Sequence, residues 1–293
     1  MKRGNRKLGR FIWQWSLPAG LGHICIGATV ACLAICYAMQ SHYNHKTVKT
    51  SLANNYKLSL TDFFVGFILG CLLLFKIRTV RIHAAGDFYS PEYVEKWTEI
   101  ATRRPDVTFY AYTRSWRNRD GSINDSMVQA FSKFAALPNA RLWYSCDKNT
   151  GEPTSTSHVM RCYLQGSDDD IPDYSVDLFF RNKRKSVVKQ VRSTIVCPVE
   201  NGTTKTTCSA CKLCYTPALL HRVNAKIVRS NSENSVSGNA NSAFKTSHEL
   251  KQNFKQKVAK NAKPNCNSKS KQKSKHSRSK PKSVKAKRKS LHA

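Results

Sequence analysis

The sequence IRTVRIHAAGD occupies residues 77–87 and alternates apolar and polar side chains until it breaks at Gly86-Asp87. Such alternation predicts a half-buried β-strand, and the small residues predict its end. Ser90-Pro91-Glu92 then predicts the start of a helix, because Ser caps free amides, Pro fits the first turn and Glu favours the positive end of the helix dipole. The stretch therefore predicts one strand–loop–helix unit.

The same unit recurs further along the chain. Residues 107–112 predict a second strand, residues 127–134 a second helix and residues 141–145 a third strand. Strands that alternate with helices at a spacing of about thirty residues indicate βαβ units and a parallel sheet. We therefore predict an α/β fold.

Ligands of parallel α/β folds gather at the carboxyl ends of the strands. Polar or small residues stand at these ends in each predicted unit: Gly86 and Asp87 after the first strand, Thr113 after the second and Ser145 at the end of the third. We predict that these four residues contribute to a cofactor-binding site. Taken alone, Gly86-Asp87 also fits a turn glycine followed by a capping carboxylate.

Seven of the eleven cysteines fall into two groups. The early group, spaced C-x6-C-x3-C, comprises Cys25, Cys32 and Cys36. The late group, spaced C-x10-C-x2-C-x2-C, comprises Cys197, Cys208, Cys211 and Cys214. Three thiols and four thiols together predict one metal site with an open ligand position and one closed metal site.

The late spacing is typical of an iron–sulfur cluster, in which closely spaced thiols are joined by a distant Cys-Pro. Zinc sites more often combine two separated C-x2-C pairs, so a zinc ion is the second alternative for the late group. A group without metal is the third alternative.

The early cysteines also leave two alternatives open. On a continuous helix they would share one sector and could simply be small buried residues. Gly27 instead indicates that the first turn is a loop, with Cys32 and Cys36 on the helix that follows. Three thiolates could then hold a cluster that keeps one iron free for an exogenous ligand.

The formal net charge of +31 is unevenly distributed. Residues 222–293 hold 20 Lys and Arg against 2 Glu and few large apolar side chains, which predicts a disordered basic tail. We place a basic leader at residues 1–10 and an α/β core with both cysteine groups at residues 11–221. A basic tail attracts polyanions without reading their sequence, so nucleic acid is the expected partner.

The odd number of cysteines and the lack of a cleavable signal pattern predict a reducing, cytoplasmic location. Two apolar runs, Ile24 to Met39 and Phe63 to Phe75, raise a membrane-associated protein as an alternative. The second run has 13 residues, whereas a spanning helix needs about 20. We therefore do not expect the membrane as a partner.

Five blocks of the chain resemble the gene product 88 family of phages and mobile elements. The blocks are Ser16–Gly20, the early cysteine group with Tyr37-Ala38, Arg81–Ser90, Phe109–Trp116 and the segment from Cys197-Pro198 to Cys214. The resemblance covers about residues 8–216 and implies no particular reaction.

A more distant similarity is to radical S-adenosylmethionine enzymes, which have a partial βα barrel and a cysteine triad that ends in Cys-Tyr. This similarity implies a partial βα barrel with a cysteine-rich C-terminal cap. The early triad would bind a four-iron cluster, Gly86-Asp87 would receive the amine of S-adenosylmethionine, and the late group would hold an auxiliary cluster. The spacing here is C-x6-C-x3-C, whereas those enzymes have CxxxCxxC.

The predicted function is therefore an iron–sulfur protein of phage or plasmid type, with radical S-adenosylmethionine chemistry on an unspecified substrate as its candidate reaction. A zinc-stabilised nucleic-acid-binding protein of a mobile element is one alternative. A membrane-associated protein is the other.

Overall fold

The computed structural model describes residues 1–20, 22, 24–167, 170–181, 195–201 and 206–216. All described residues belong to the first of the two units into which the chain divides, Met1–Gly238. The predicted disordered tail of residues 222–293 lies outside the described residues.

An eight-stranded sheet forms the centre of the first unit. Its strands are β1 (Lys2–Arg3), β2 (Trp13–Trp15), β3 (Thr79–Ile82), β4 (Thr108–Thr113), β5 (Ala140–Cys146), β6 (Val159–Gln165), β7 (Leu178–Arg181) and β8 (Ile195–Val196). β1 is antiparallel to β2, and every following pair of neighbours is parallel. The predicted α/β class is confirmed.

The strands lie in the sheet in the order in which they occur in the chain. A doubly wound sheet would instead reverse direction at a switch point. Because crossovers between parallel strands are right-handed, winding in one direction places the connecting helices on one face of the sheet. This winding is the one that βα barrels use. The barrel itself stays a prediction.

Seven α-helices lie within the described residues. They are α1 (Val30–Ala34), α2 (Lys46–Ser59), α3 (Phe63–Leu74), α4 (Pro91–Arg103), α5 (Asp125–Ala135), α6 (Pro198–Asn201) and α7 (Cys208–Cys211). α4 begins where the sequence predicts, because the Ser90 hydroxyl accepts a hydrogen bond from the amide of Tyr93 at 3.3 Å and Pro91 occupies the first turn. Successive contacts join α3 to α4 and α4 to α5.

Alternate side chains of each strand pack into two different layers, because successive side chains of a strand point to opposite faces of the sheet. On the helix face, Phe109 and Leu142 are fully buried and belong to one core with Trp97 of α4 and Phe131 of α5. Tyr110 and Trp143 belong to separate clusters with the late cysteines and with Leu8. The late cysteine segment therefore packs on the sheet face opposite the helices.

The basic stretch of residues 1–10 takes part in this second layer. Lys2 and Arg3 form β1, and Leu8 is buried. The carbonyl oxygens of Lys7 and Leu8 accept hydrogen bonds from the amides of Cys208 and Ser209 at 2.9 and 3.0 Å. These contacts join the start of the chain to the late cysteine group.

The two apolar runs form different structures. Ile24 to Met39 contains only the five-residue helix α1 and a 3₁₀ turn at Tyr37–Met39. α3, in the second run, buries one side in the core and leaves Phe63 and Leu74 largely exposed. Among the described residues, no single helix has the length and apolar composition to cross a membrane; α2 and α3 pass that test together but meet at a bend of 117°.

Candidate metal and cofactor site at the carboxyl ends of the strands

The loop that carries Cys25 runs across the ends of β3 and β4 at van der Waals distance. The amide of Leu17 donates to the carbonyl of Ala85 at 2.9 Å, and a β-carbon at Gly86 would stand 2.7 Å from that of Leu17. A β-carbon at Gly27 would stand 2.0 Å from the carbonyl oxygen of Arg114. Backbone contacts at these two glycines therefore fix the course of the loop.

Thr29 caps α1 and joins it to the end of β5. Its hydroxyl accepts from the amide of Cys32 at 3.0 Å and donates to Oδ2 of Asp147 at 2.6 Å. Nη2 of Arg114 lies 3.1 Å from the same carboxylate oxygen. The Tyr37 hydroxyl donates to the carbonyl of Ala84, after β3. The segment with the early cysteines is thus tied to the carboxyl ends of β3, β4 and β5.

The early cysteines lie in a loop, in a short helix and beyond its end. Cys32 is in α1, Cys25 precedes it, and Cys36 follows it. The loop predicted at Gly27 is present, but the prediction that Cys36 lies on the helix is wrong, because α1 ends at Ala34. A continuous helix from Cys25 to Cys36 is excluded as well.

The three thiols lie within electrostatic range of one another. Burial, followed by the charges of Asp87 and the other two thiols, raises the pKa of Cys25 to about 12. Burial also raises the pKa of Cys32, although the guanidinium of Arg114, whose Nη1 lies 3.4 Å from Sγ, acts in the opposite direction. Cys25 and Cys32 therefore stay protonated at neutral pH unless a cation binds them.

Asp87 joins the end of β3 to the end of β4. Its carboxylate accepts hydrogen bonds from the amides of Phe88 and Arg114 at 2.8 and 2.9 Å. Burial raises its pKa to about 6, although hydrogen bonds from the Thr113 hydroxyl and the two amides act against this shift. Asp87 is therefore mostly ionised at pH 7, and Thr113 helps to position it.

Ser145 differs from the other predicted cofactor residues. Its hydroxyl is hydrogen-bonded to the buried thiol of Cys162, its neighbour on β6. The structure thus brings Gly86, Asp87 and Thr113 together beside the early cysteines, whereas the Ser145 side chain contacts the next strand.

The four late thiols line one small cavity, together with Tyr110 and Leu213. Burial raises the pKa of the thiols of Cys197, Cys208 and Cys214, the last to about 12, and neighbouring late thiols contribute to each shift. The indole Nε1 of Trp143 donates to the carbonyl of Cys214 at 2.9 Å, and the ring of Tyr215 stacks on Tyr110. These contacts hold the late group against the sheet.

The side chains of neither cysteine group are arranged to coordinate a metal ion. All cysteines in the described part of the chain are free thiols. Within that part, no three Cys, His, Asp or Glu side chains converge closely enough to hold one ion. The backbone therefore assembles each group, and binding would require the thiol side chains to turn toward one another.

Arg114, Asp147 and Thr29 are not among the four predicted cofactor-binding residues. Arg114 and Asp147 directly follow β4 and β5, at the polar strand ends where the sequence already predicts bound ligands. Thr29 directly precedes α1, which is the preferred position of a capping hydroxyl.

A family model described as Gene product 88 matches residues 1–217, which include both cysteine groups. The chain belongs to the gene product 88 family. The Gene 88 proteins of Mycobacterium phages L5 and D29 are 31% and 30% identical to it over 157 residues. Each alignment covers 50% of this chain and 61% of the relative, so the chain spans about three fifths of the length of these curated relatives. No solved structure shows a significant match.

Proposed function

We propose that this gene product 88 protein is an iron–sulfur enzyme of a phage or plasmid, with a four-iron cluster on Cys25, Cys32 and Cys36. The observation that carries the proposal is the attachment of the cysteine segment to the carboxyl ends of β3, β4 and β5. Parallel α/β folds bind their ligands at these ends. The winding of the sheet in one direction supports a partial βα barrel around the site.

The donor set suits such a cluster. Three thiols leave one iron of a four-iron cluster without a protein ligand, and thiolate sulfur is the usual ligand of these clusters. The raised pKa of Cys25 and Cys32 indicates buried thiols that a metal would deprotonate. Only Cys32 lies within a helix, so the other two have more freedom to approach it.

The surrounding residues have separate roles in this proposal. A bound cluster would supply electrons to a ligand on its open iron, and S-adenosylmethionine is the candidate ligand. Asp87 and Gly86 would receive the amine of that ligand, because the buried carboxylate is mostly ionised at pH 7. Arg114 would keep Asp147 and Cys32 in place through its two contacts.

The shared cavity of the late group favours a second metal. Four thiols match the full ligand set of an auxiliary iron–sulfur cluster or of a structural zinc ion. If zinc alone occupies this group and the early group stays empty, the alternative function is a zinc-stabilised nucleic-acid-binding protein of a mobile element.

Anaerobic purification of the full chain, with iron, sulfide, zinc and the visible spectrum measured together, tests the proposal. Two four-iron clusters correspond to about eight irons per chain. Simultaneous replacement of Cys25, Cys32 and Cys36 by Ser should remove about half of the iron, whereas Cys71→Ser, a matched thiol in α3, should remove none. Colourless protein without iron after reconstitution would overturn the proposal, and one zinc without iron would favour the alternative.

A further inference from the structure

A cleft of about 570 Å³ opens at the amino ends of β3, β4 and β5, the edge of the sheet opposite the early cysteines. Thr79 and Thr108 are the first residues of β3 and β4, and Arg141 is the second residue of β5. Its volume lies within the range of about 300–1,000 Å³ that small-molecule sites occupy. The cleft uses none of the thiols, although Ser209, Lys212 and Tyr215 of its lining belong to the late cysteine segment.

The walls of the cleft are basic and rich in hydroxyl groups. Arg141 and Lys212 contribute two positive charges, and no Asp or Glu is among its described lining residues. Five hydroxyl side chains surround them, those of Thr79, Thr108, Ser209, Tyr215 and Thr216. Cations beside hydroxyl donors are the usual surroundings of a bound phosphate group.

Arg141 and Lys212 both remain available to bind an anion. Two nitrogens of Arg141 donate to the carbonyls of Ala140 and Pro138, while its buried Nε has no partner in the described structure. Neither Arg141 nor Lys212 forms an ion pair with a described residue. An anion in the cleft would give Arg141 and Lys212 the counter-charge that no described residue supplies.

An aromatic ring stands at the same cleft. Phe11 is 65% exposed, although an exposed Phe ring is disfavoured in water, and the guanidinium of Arg10 lies 5.0 Å from its centroid. Tyr215 contributes a second ring to the lining. Exposed aromatic rings beside basic groups are the usual platform on which nucleobases stack.

We propose that this cleft binds a phosphate-bearing nucleotide, with Arg141 and Lys212 on the phosphate and Phe11 against the base. A free mononucleotide and the terminal nucleotide of a strand present the same chemistry. The cleft would give the protein a nucleotide site on its folded core, separate from the basic tail.

Calorimetric titration of the full chain with adenosine monophosphate and with adenosine tests the phosphate contact. The nucleotide should bind at least about tenfold more tightly than the nucleoside, since hydrogen bonds between charged groups add to the affinity. Arg141→Gln and Lys212→Asn should each weaken nucleotide binding by about tenfold. Asn suits position 212 because its φ of 59° is left-handed.

Lys49→Gln on α2 is the matched control, because it removes one exposed positive charge far along the chain from the cleft residues. Every variant keeps the tail, so attraction by the tail is equal in all of them. Melting curves verify folding, and Lys212→Asn tests the contact if Arg141→Gln does not fold. Equal binding of nucleotide and nucleoside, or folded cleft variants that bind like Lys49→Gln, would overturn the proposal.

A second pair of titrations distinguishes the two sources of phosphate. A short oligonucleotide with a 5′-phosphate is compared with the same oligonucleotide without it, at raised salt to weaken attraction by the tail. If the phosphorylated strand binds more tightly than the mononucleotide, and Lys212→Asn loses this tighter binding, the cleft binds the end of a strand. Equal or weaker binding of the strand assigns it to free nucleotides.

Discussion

Gly27 lies directly against the carbonyl oxygen of Arg114, so that a β-carbon at position 27 would stand 2.0 Å from that oxygen. The two residues are far apart in the chain, and their contact places the loop with Cys25 on the end of β4. The position of the early cysteines therefore depends on a close approach of two backbones.

Gly27→Ala should push this loop away from β4. We expect the free energy of unfolding to fall by about 1–3 kcal/mol, as for other overpacked sites, and the early group to lose its iron. Urea unfolding and iron analysis measure the two effects. Gly66→Ala on α3 is the control, because nothing outside its adjacent residues and the backbone of its own helix lies within 4 Å of the new β-carbon, and it should stabilise the helix by up to about 1 kcal/mol. Equal stability of both variants would contradict the contact.

Arg114→Gln should leave the carboxylate of Asp147, whose side chain is 1% exposed, without its cation. Breaking a buried ion pair in this way costs about 3–5 kcal/mol. Arg103→Gln removes an exposed i,i+4 partner of Glu99 and should cost less than about 1 kcal/mol. Urea unfolding of both variants, with a double-mutant cycle that adds Asp147→Asn, measures how much the ion pair contributes to the free energy of unfolding. Strictly additive effects of the two substitutions at the buried pair would count against it.

His83 should make the protein less stable in acid. Burial lowers its pKa to about 3, so the unfolded chain binds a proton near pH 6.5 that the folded chain does not bind until about pH 3. The stability present above pH 6.5 is therefore lost as the pH falls through this window, by about 2–3 kcal/mol at pH 4.5.

His83→Asn should remove this loss, and Asn tolerates the φ of 63° at this position. Asp87 makes the free energy of unfolding change with pH in the opposite direction, between its ordinary pKa and about 6, because burial raises its pKa. The difference between wild type and His83→Asn therefore isolates His83. Parallel stability curves for both proteins from pH 4.5 to pH 7 would show that folding does not lower the pKa of His83.

Trp143→Phe should loosen the late cysteine segment, because it leaves the carbonyl of Cys214 without the indole donor. We expect a loss of about 2 kcal/mol in the free energy of unfolding, from the lost hydrogen bond and the smaller ring. The metal-free protein should also react faster with a thiol reagent. Trp13→Phe is the control, because the half-buried ring of Trp13 stacks on Phe75, and it should leave the labelling rate unchanged. Equal labelling rates in the two variants would exclude this role of Trp143.

The parts of the fold that local signals encode were predictable. The alternation before His83 and the cap at Ser90 placed β3 and α4, and the second predicted strand, residues 107–112, matches β4 to within one residue at each end. The shortest strands carried no usable signal: β1 and β8 have two residues each, and β2 has three. A period of two cannot be recognised in so few residues, because sheet pairing rather than local propensity forms them.

The candidate site was predictable only in part. Asp87 and Thr113 followed from their positions after predicted strands, and the cysteine spacings identified both groups. The contact of Thr29 with Asp147, 118 residues away, could not be inferred, because it depends on how the loop after β2 crosses the sheet. The same holds for the hydrogen bond between the Cys208 amide and the Lys7 carbonyl, which makes the basic start of the chain a support of the late group.

The sequence by itself determined the α/β class and the membership of two cysteine groups, because apolar periodicity, helix caps and thiol spacing are properties of neighbouring residues. Only the tertiary structure decided which residues surround each group. It placed the early thiols at the carboxyl ends of β3, β4 and β5, and the late thiols against the opposite sheet face beside Leu8 and Tyr110. The physical reason is that parallel pairing in chain order brings distant strand ends to one edge, where backbone contacts such as that of Gly27 with Arg114 complete the arrangement.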